Sequence, residues 1–489
     1  MKVYRKEADQ IQVISFPEEP VEKGDYLLIE DSREDRGLLA QVIDIQYANI
    51  PGILEDLLRE VTTEENLVGE DYDPLDVSSH IHLLKDTRML ICKIRGSLQD
   101  GRLVQTAAWT PSRTGSKITR VTVETLINFN KPRRPILAGE TKKGTPILLD
   151  ACDLDGRLNI ITGKKGTGKS HLAKLFVLGL VDQGAPCLVF DVNGEYVNLN
   201  RLRKGGFSRY RHNLEVLTPR LNLRFTLAQL GLRTVQNILN FALDLPSTSS
   251  KVFSSIWHEL ECHGTITIQS LGNLIQTWNC HEQVREALWT RYNTIHDSGI
   301  FTDYREDAVD LERVSMKIDK GGAIVVDMKN LSQTSRRILV EIFLGKFREI
   351  LALGKLRALF LFAEEAHLYL RETYWDDIVT RMRHIGLFST FITNQPDTIQ
   401  ETIYRQADNI FLFNFTNDRD LEAVAKASRI DADSVRLLVR DMPPRQCLAI
   451  GDAVHNFPIV LGVKPLDVET MGETRLFFAE TQTVAQLTG

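Results

Sequence analysis

The first 130 residues alternate short apolar runs with charged or glycine-containing turns. The runs are rich in Val, Ile and Leu, a composition typical of β-strands. Strands are predicted at residues 11–16, 25–31, 37–47, 88–96 and 118–126. Their number and spacing favour a small N-terminal β-barrel over residues 1–132, interrupted by an acidic and helical insertion at residues 53–76. We expect this insertion to face either solvent or a partner, and the default interpretation is a solvated face.

The pattern changes after a proline-containing and cationic segment, "NKPRRPILAGETKKGTP", which has the composition of a linker. Beyond it, near-continuous apolar runs alternate with helical segments, as expected for a parallel sheet covered by helices on both faces. These runs are residues 158–162, 187–191, 323–327, 358–363, 388–393 and 410–415. We therefore predict an α/β core over residues 133–464, with a helical subdomain inserted at about 225–318 and a tail at 465–489.

Length and composition are those of a globular protein with two to three domains. The chain has 489 residues, of which 43% are hydrophobic and 25% charged, and its net charge is −6. Nucleic-acid binding would therefore have to come from locally concentrated cations. The six cysteines have no repeated spacing, which favours reduced thiols. No membrane span or signal peptide is recognisable, so we expect a cytoplasmic protein.

A phosphate-binding loop follows the first strand of the α/β core. The segment "GKKGTGKS" fits the pattern G-x-x-x-x-G-K-[ST] and opens an apolar helix. Main-chain N–H groups of such a loop surround phosphate oxygens, Lys169 reaches the β- and γ-phosphates, and the Ser170 hydroxyl joins the Mg²⁺ shell. The residues expected to hold ATP are Gly163, Gly166, Thr167, Gly168, Lys169, Ser170 and His171.

A later strand ends in two glutamates, within "RALFLFAEEAHLYL". An acidic strand end is usually a strand meeting solvent, but a phosphate-loop ATPase places a metal-binding acid and a water-activating acid here. Glu364 is the candidate for the Mg²⁺ acid, and Glu365 is the candidate for the catalytic base.

Other polar residues follow neighbouring strands. Asn394 and Gln395 could sense the γ-phosphate, and Asp191 and Glu195 end the strand "CLVFD" and its turn, although ordinary capping explains such residues equally well. The segment "VTRMRHIG" supplies Arg381 and Arg383, which are either surface cations or arginines that stabilise charge on the transferred phosphoryl group.

A basic loop at residues 201–212 contains cations and two aromatic residues but no acid. It is either a backbone-contacting DNA loop or a solvated loop. The candidate DNA contacts are Arg203, Lys204, Arg209 and Arg211. By contrast, the segment "HELECH" is not a zinc site, because His258 and His263 are five residues apart and point about 140° away from each other on a helix.

Taken together, these motifs resemble the HerA/FtsK superfamily of ring-forming ATPases, and HerA-type members in particular. The resemblance rests on the barrel-like start and on the order of "GKKGTGKS", "FDVNGEY", "AIVVDMKNLS", "FLFAEEAH", "RMRHIG" and "TNQPDTI". It implies a RecA-like P-loop ATPase core. It also implies that Glu364 and Glu365 are the magnesium acid and the base, that Arg383, or else Arg381, is an arginine finger acting across a subunit boundary, and that Gln395 is the γ-phosphate sensor.

The resemblance further implies a homohexamer that uses ATP and Mg²⁺ to translocate or unwind double-stranded DNA. Such a motor works with a NurA-like nuclease or another effector protein, either in DNA repair by end processing or in antiviral defence against phage. Two alternatives remain open at this stage. One is an ATP-regulated hexameric scaffold that switches an effector, and the other is a related conjugation or secretion motor.

Overall fold

The computed structural model describes residues 1–31, 36–48, 86–99, 102–104, 109–128, 131–141, 144–369, 381–415, 417–427 and 431–470. The predicted acidic insertion at 53–76 and the tail beyond residue 470 lie outside the described residues. No helix within these ranges combines the length and the apolar character needed to cross a membrane.

The N-terminal part is an antiparallel sheet of seven strands in the order β1-β2-β5-β4-β3-β7, with β6 paired to β5. The strands are Lys2–Glu7 (β1), Gln10–Ser15 (β2), Tyr26–Asp31 (β3), Arg36–Tyr47 (β4), Arg88–Gln99 (β5), Arg102–Val104 (β6) and Ser116–Val121 (β7). Their inward-facing apolar side chains form one cluster. Hydrogen bonding among the described residues does not join β1 to β7. The closed barrel therefore stays a prediction.

The prediction of a strand at 118–126 is wrong for the second half of this range. Strand β7 ends at Val121, and a short helix, α1, follows at Val123–Asn128. The Thr122 hydroxyl accepts a hydrogen bond from the main-chain N–H of Thr125 at 3.2 Å. A threonine in this position caps a helix, and this local bond outweighs the β-propensity of the sequence.

The remaining strands form a second sheet of eleven strands in the order β12-β13-β11-β14-β15-β10-β16-β17-β18-β8-β9. Strands from β12 to β16 in this order run parallel, and the last four are antiparallel. The strands are Pro135–Glu140 (β8), Pro146–Asp150 (β9), Asn159–Thr162 (β10), Pro186–Asp191 (β11), Leu214–Leu217 (β12), Gly322–Asp327 (β13), Leu359–Glu364 (β14), Leu387–Thr393 (β15), Asn409–Leu412 (β16), Gln446–Gly451 (β17) and Ile459–Val463 (β18). All six apolar runs of the α/β pattern are strands of this sheet.

Helices cover both faces of the large sheet. They are Lys169–Asp182 (α2), Leu227–Asn237 (α3), Ser247–Cys262 (α4), Ile268–Thr277 (α5), Glu282–Asp297 (α6), Leu311–Ile318 (α7), Gln333–Ala352 (α8), Glu401–Gln406 (α9), Asp418–Ala427 (α10) and Ala432–Val439 (α11). Apolar residues of α2 pack on one face, where Phe176 meets Phe411 of β16 edge to face at 5.0 Å.

Five helices, α3 to α7, lie between residues 227 and 318, where the helical subdomain is predicted. They share a hydrophobic core with α8 and the sheet. Phe225, just before α3, meets Phe343 of α8 edge to face at 6.2 Å. A single turn of π-helix, Ile238–Ala242, follows α3 directly. Whether these helices are an independent subdomain stays a prediction.

The order of the strands brings the candidate site together. Strand β10, which precedes the phosphate loop, lies between β15 and β16, and β14 with its glutamates is the neighbour of β15. Because these strands are parallel, their carboxyl ends meet at one edge of the sheet, where α/β proteins bind ligands.

Candidate functional site

The phosphate loop connects β10 to α2. Gly163 has φ +152° and Gly168 has φ +119°, values that favour glycine. A Cβ atom on Gly163 would also lie only 2.4 Å from the Cβ of Phe413, so the loop folds back over β16 without room for a side chain. The glycines of the motif therefore fix a tight loop at the N-terminus of α2.

Lys169 is buried and folds back over this loop. Its Nζ donates hydrogen bonds to the carbonyls of Gly163 and Lys164 at 2.8 and 3.0 Å. Burial lowers the pKa of its ammonium group, while the charges of Glu365 and Glu364 act in the opposite direction. The cation thus lies between the loop and the acids at the end of β14.

The other predicted nucleotide-binding residues of the motif differ in their contacts. The Thr167 hydroxyl donates to the Lys164 carbonyl at 2.7 Å, and Ser170 is half-buried in the first turn of α2. The His171 Nε2 accepts a hydrogen bond from the main-chain N–H of Leu466 at 3.1 Å. Burial and the charge of Lys174 lower the pKa of His171 to about 4, so the ring is neutral and occupied by the chain itself.

Glu364 is 2% exposed at the end of β14. Its Oε1 accepts a hydrogen bond from the Tyr196 hydroxyl at 2.7 Å. Burial, and then the charge of Glu195, raise the pKa of Glu364 to about 8. A buried carboxylate with an acidic neighbour favours a proton or a cation close by.

Glu365 follows in a left-handed backbone conformation, with φ +45° and ψ +47°. Its Oε1 accepts a hydrogen bond from Asn394 Nδ2 at 3.1 Å. Its Oε2 is buried without a hydrogen bond and lies 3.6 Å from Nδ1 of His367. Burial lowers the pKa of His367, which favours the neutral ring. One carboxylate oxygen of Glu365 therefore accepts a hydrogen bond, and the other has no hydrogen bond and is available to accept a proton.

The loop after β11 contacts Glu364 through the Tyr196 hydroxyl. The Asp191 carboxylate accepts the main-chain N–H groups of Glu195 and Tyr196 at 2.9 and 2.8 Å, so Asp191 has the turn-capping role. Glu195 Oε2 accepts a hydrogen bond from Lys174 Nζ at 2.8 Å, and that ammonium lies 5.3 Å from the centre of the Tyr196 ring. Lys174 on α2 is thereby linked to the acid of β14.

Gln395 and Asn394 take different positions at the end of β15. Asn394 contacts the candidate base, whereas the Gln395 side chain is exposed at the same edge. The main-chain N–H of Gln395 donates to the Thr393 hydroxyl at 3.1 Å.

Arg381 and Arg383 precede β15 and so lie at the opposite edge of the sheet from the phosphate loop. Arg383 Nη1 is 3.3 Å from Oδ2 of Asp408, which also accepts the main-chain N–H of Leu158 at 2.9 Å. Leu158 and Gly163 are separated by the full length of β10, about 16 Å at ~3.3 Å per residue. Arg383 is therefore remote from the phosphate loop of its own chain.

The basic loop at residues 201–212 contains exposed cations, three of which contact other residues of the chain. Arg203 Nη2 donates to the Thr470 hydroxyl at 3.0 Å, and Arg209 pairs with Asp182 and contacts the Tyr210 hydroxyl. The Arg211 guanidinium lies 3.8 Å from the centre of the Phe207 ring. Lys204 is exposed. All four residues are exposed.

Sequence reasoning missed the supporting contacts of Lys174 and Tyr196. Asp191 and Glu195 of the segment "FDVNGEY" are candidates from the sequence, whereas Tyr196 of the same segment is not. No local pattern signals a hydrogen bond between residues 168 positions apart, so only the order of the strands could have suggested the contact.

Comparison with known proteins finds similarity to HerA-type proteins. A family model described as the central domain of the helicase HerA matches residues 137–347, which include the phosphate loop. A curated relative, the DNA double-strand break repair helicase HerA of Sulfolobus acidocaldarius, is 21% identical over 491 residues, covering 93% of this chain and 91% of that protein.

Solved structures show a related RecA-like P-loop fold. VirB4 of Thermoanaerobacter pseudethanolicus is similar with a TM-score of 0.51 and 17% identity, covering 69% of this chain and 98% of VirB4. The plasmid coupling protein TrwB, solved with ADP and Mg²⁺, is similar with a TM-score of 0.51 and 12% identity, covering 72% of this chain and 94% of TrwB. At these identities the likeness concerns the fold alone.

Proposed function

Because this chain belongs to the HerA/FtsK superfamily of P-loop ATPases, we propose that it is a Mg²⁺-dependent ATPase that moves double-stranded DNA as a homohexamer. The observation that carries the proposal is the meeting of Lys169, Glu364 and Glu365 at one edge of the sheet. The likeness over nearly the whole length of a curated DNA repair helicase supports the DNA substrate.

The residues of the site account for hydrolysis. Loop N–H groups and Lys169 bind the phosphates of ATP, with Lys169 exchanging its loop carbonyls for phosphate oxygens. Asn394 orients Glu365, whose open Oε2 accepts a proton from the attacking water. His367 is neutral and therefore adds no positive charge beside that oxygen.

Glu364 and Ser170 would hold Mg²⁺, which neutralises charge on the phosphates. The described His, Cys, Asp and Glu residues contain no group of three that could hold a metal ion. Such a group is not needed, because Mg²⁺ bound with a nucleotide is coordinated mainly by phosphate oxygens and water. The buried Glu364 carboxylate, disfavoured by its surroundings, fits a nearby cation.

We assign the arginine finger to Arg383 acting in trans, with Arg381 as the substitute, and the γ-phosphate sensor to Gln395. The position of Arg383, a strand length from its own phosphate loop, supports a role at a neighbouring subunit. The exposed Gln395 side chain lies at the same edge of the sheet as the glutamates. A shared site of this kind requires a neighbouring subunit, which the proposed hexamer would provide.

The finer assignments complete the proposal. We place the domain boundary at residues 132/133, because β7 belongs to the first sheet and β8, from Pro135, to the second. The barrel, the helical subdomain, the tail at 465–489 and a cytoplasmic location are retained as predictions. The exposed cations of residues 201–212 would contact DNA, and a NurA-like nuclease or another effector in repair or antiviral defence would supply further chemistry.

Phosphate release with Mg²⁺, with and without duplex DNA, tests this function. Duplex DNA should stimulate the parent protein. The Glu365→Gln variant should bind ATP without turning it over, whereas Lys169→Ala should lose binding, because Lys169 contacts the phosphates in the ground state. Near-parent hydrolysis by Glu365→Gln would show that the base is elsewhere, and a parent rate indifferent to DNA would refute the DNA motor.

A further inference from the structure

The segment between α11 and β17 lies directly against the phosphate loop. The main-chain N–H of Arg445 donates to the Thr167 carbonyl at 2.7 Å, and the Arg445 carbonyl accepts the N–H of Val463 at 2.7 Å. A Cβ atom on Gly168 would lie 3.3 Å from Cα of Arg445. The main chain of Arg445 is therefore fixed beside the loop, and only its side chain is free to extend.

Arg445 has a left-handed backbone with φ +64°, which is uncommon for a residue other than glycine. It follows two prolines, Pro443 and Pro444, which restrict the approach of the chain. Such conformations cost free energy and are concentrated at ligand sites, and Glu365 on the other side of the loop is a second example. Asparagine or glycine would adopt this backbone more easily, so the arginine points to a role for its side chain.

The Arg445 guanidinium is exposed, and no carboxylate among the described residues pairs with it. Burial and then the charge of Lys174 lower the pKa of His171 in the first turn of α2, and the charges of Arg445 and Arg203 contribute to the same shift. Lys164 and Lys165 are exposed within the loop itself, and Lys169 and Arg445 flank it. Lys169 lies towards Glu364 and Glu365, and Arg445 lies towards His171.

The sheet order decides which phosphate each cation meets. The acids stand on β14, on one side of β10, so the γ-phosphate must lie on that side. Arg445 directly precedes β17, which lies on the opposite side of β10, beyond β16. In a phosphate loop the α- and β-phosphates are held by main-chain N–H groups while the lysine reaches the β- and γ-phosphates. The side of the loop away from the acids therefore belongs to the α-phosphate.

We propose that Arg445 binds the α-phosphate of the nucleotide. The interaction is present equally in the ground state and during hydrolysis, because the α-phosphate gains no charge in the reaction. Arg445 is therefore a binding residue that lowers KM and leaves kcat unchanged. The inference rests on nucleotide binding at the phosphate loop, and does not depend on DNA.

Three variants separate this role from a structural one. Arg445→Asn removes the charge and keeps a residue that tolerates the left-handed backbone, and Arg445→Lys keeps the charge. Arg440→Gln is the matched control, because it removes an exposed arginine of the same segment. Thermal unfolding of each variant establishes that the fold is kept.

The measurement is displacement of a fluorescent ATP analogue by ATP, ADP and inorganic tripolyphosphate, with Mg²⁺ and without DNA. For Arg445→Asn we expect affinity for all three to fall about tenfold, the effect of one charge-assisted hydrogen bond. KM for ATP should rise with kcat near the parent value, Arg445→Lys should recover part of the loss, and Arg440→Gln should behave as the parent.

Unchanged affinity in a folded Arg445→Asn protein would overturn the proposal. So would a loss for ATP and ADP without a loss for tripolyphosphate, because the contact would then be with the nucleoside. A fall in kcat at constant KM would also contradict it. A parent that binds nucleotide but ignores DNA would refute the proposed motor and leave the Arg445 assignment standing.

Discussion

The buried acid Glu364 should make the stability of the nucleotide-free protein depend on pH. Its side chain is 2% exposed, and burial together with Glu195 raises its pKa from the ordinary 4.5 to about 8. The Glu364→Gln variant replaces the carboxyl group by a neutral amide of almost the same shape, which removes the ionisation and retains an acceptor for the Tyr196 hydroxyl.

The sign and the size of the effect follow from linkage. Between pH 4.5 and pH 8 the folded protein keeps a proton on Glu364 that the unfolded chain releases, so the free energy of unfolding falls as the pH rises. The free energy of unfolding falls by at most about 1.4 kcal/mol for each pH unit, and by less as the pH approaches the pKa of the folded protein. The total loss between pH 6 and pH 8 is therefore roughly 2 kcal/mol. The Glu364→Gln variant has no ionisable group at this position, so its free energy of unfolding does not decrease with pH for this reason.

The assay is thermal unfolding at pH 6, 7 and 8 without nucleotide or Mg²⁺. The midpoint of Glu364→Gln relative to the parent should rise with pH, by several degrees over the range at ~2–4 °C per kcal/mol. The matched control is Glu286→Gln, which alters an exposed glutamate of α6 and should follow the parent at every pH. Parallel midpoints for parent and Glu364→Gln would refute the burial argument.

Two further predictions concern the ring. Mixing Arg383→Ala subunits with Glu365→Gln subunits should restore part of the ATP hydrolysis that neither variant has alone, because a mixed interface can pair an intact finger with an intact base; no recovery in verified mixed rings would contradict a shared site. Replacing the four predicted DNA-contacting cations of residues 201–212 by Ala should weaken DNA binding and reduce its salt dependence for any base sequence, with DNA-free hydrolysis unchanged. An unchanged salt slope in that quadruple variant would place the loop away from DNA.

The parts of the site that the sequence predicted are those encoded within a few residues. The phosphate loop is recognisable in the sequence because its glycines are needed for a local backbone geometry. Glu364 and Glu365 are recognisable as candidates because they follow directly on an apolar run. The alternation of strands and helices likewise predicted the α/β core. In each case the physical cause is a contact or a conformation close along the chain.

The parts that the sequence did not predict depend on distant contacts. Tyr196 reaches Glu364 because β11 pairs with β14, and Arg445 reaches Thr167 because β17 lies two strands from β10. Neither pairing has a local signature. The prediction of a strand at 118–126 is wrong in its second half because of a local contact, since the hydroxyl cap at Thr122 outweighs the β-propensity of the segment.

Displacement of the third strand from a DNA triplex tests the central claim most directly, because it detects movement along duplex DNA rather than hydrolysis alone. With ATP and Mg²⁺ the parent protein should release the third strand, and Glu365→Gln, which binds ATP without hydrolysing it, should not. Release by Glu365→Gln at the parent rate, or DNA-stimulated hydrolysis by the parent without any release, would contradict an ATP-driven translocase.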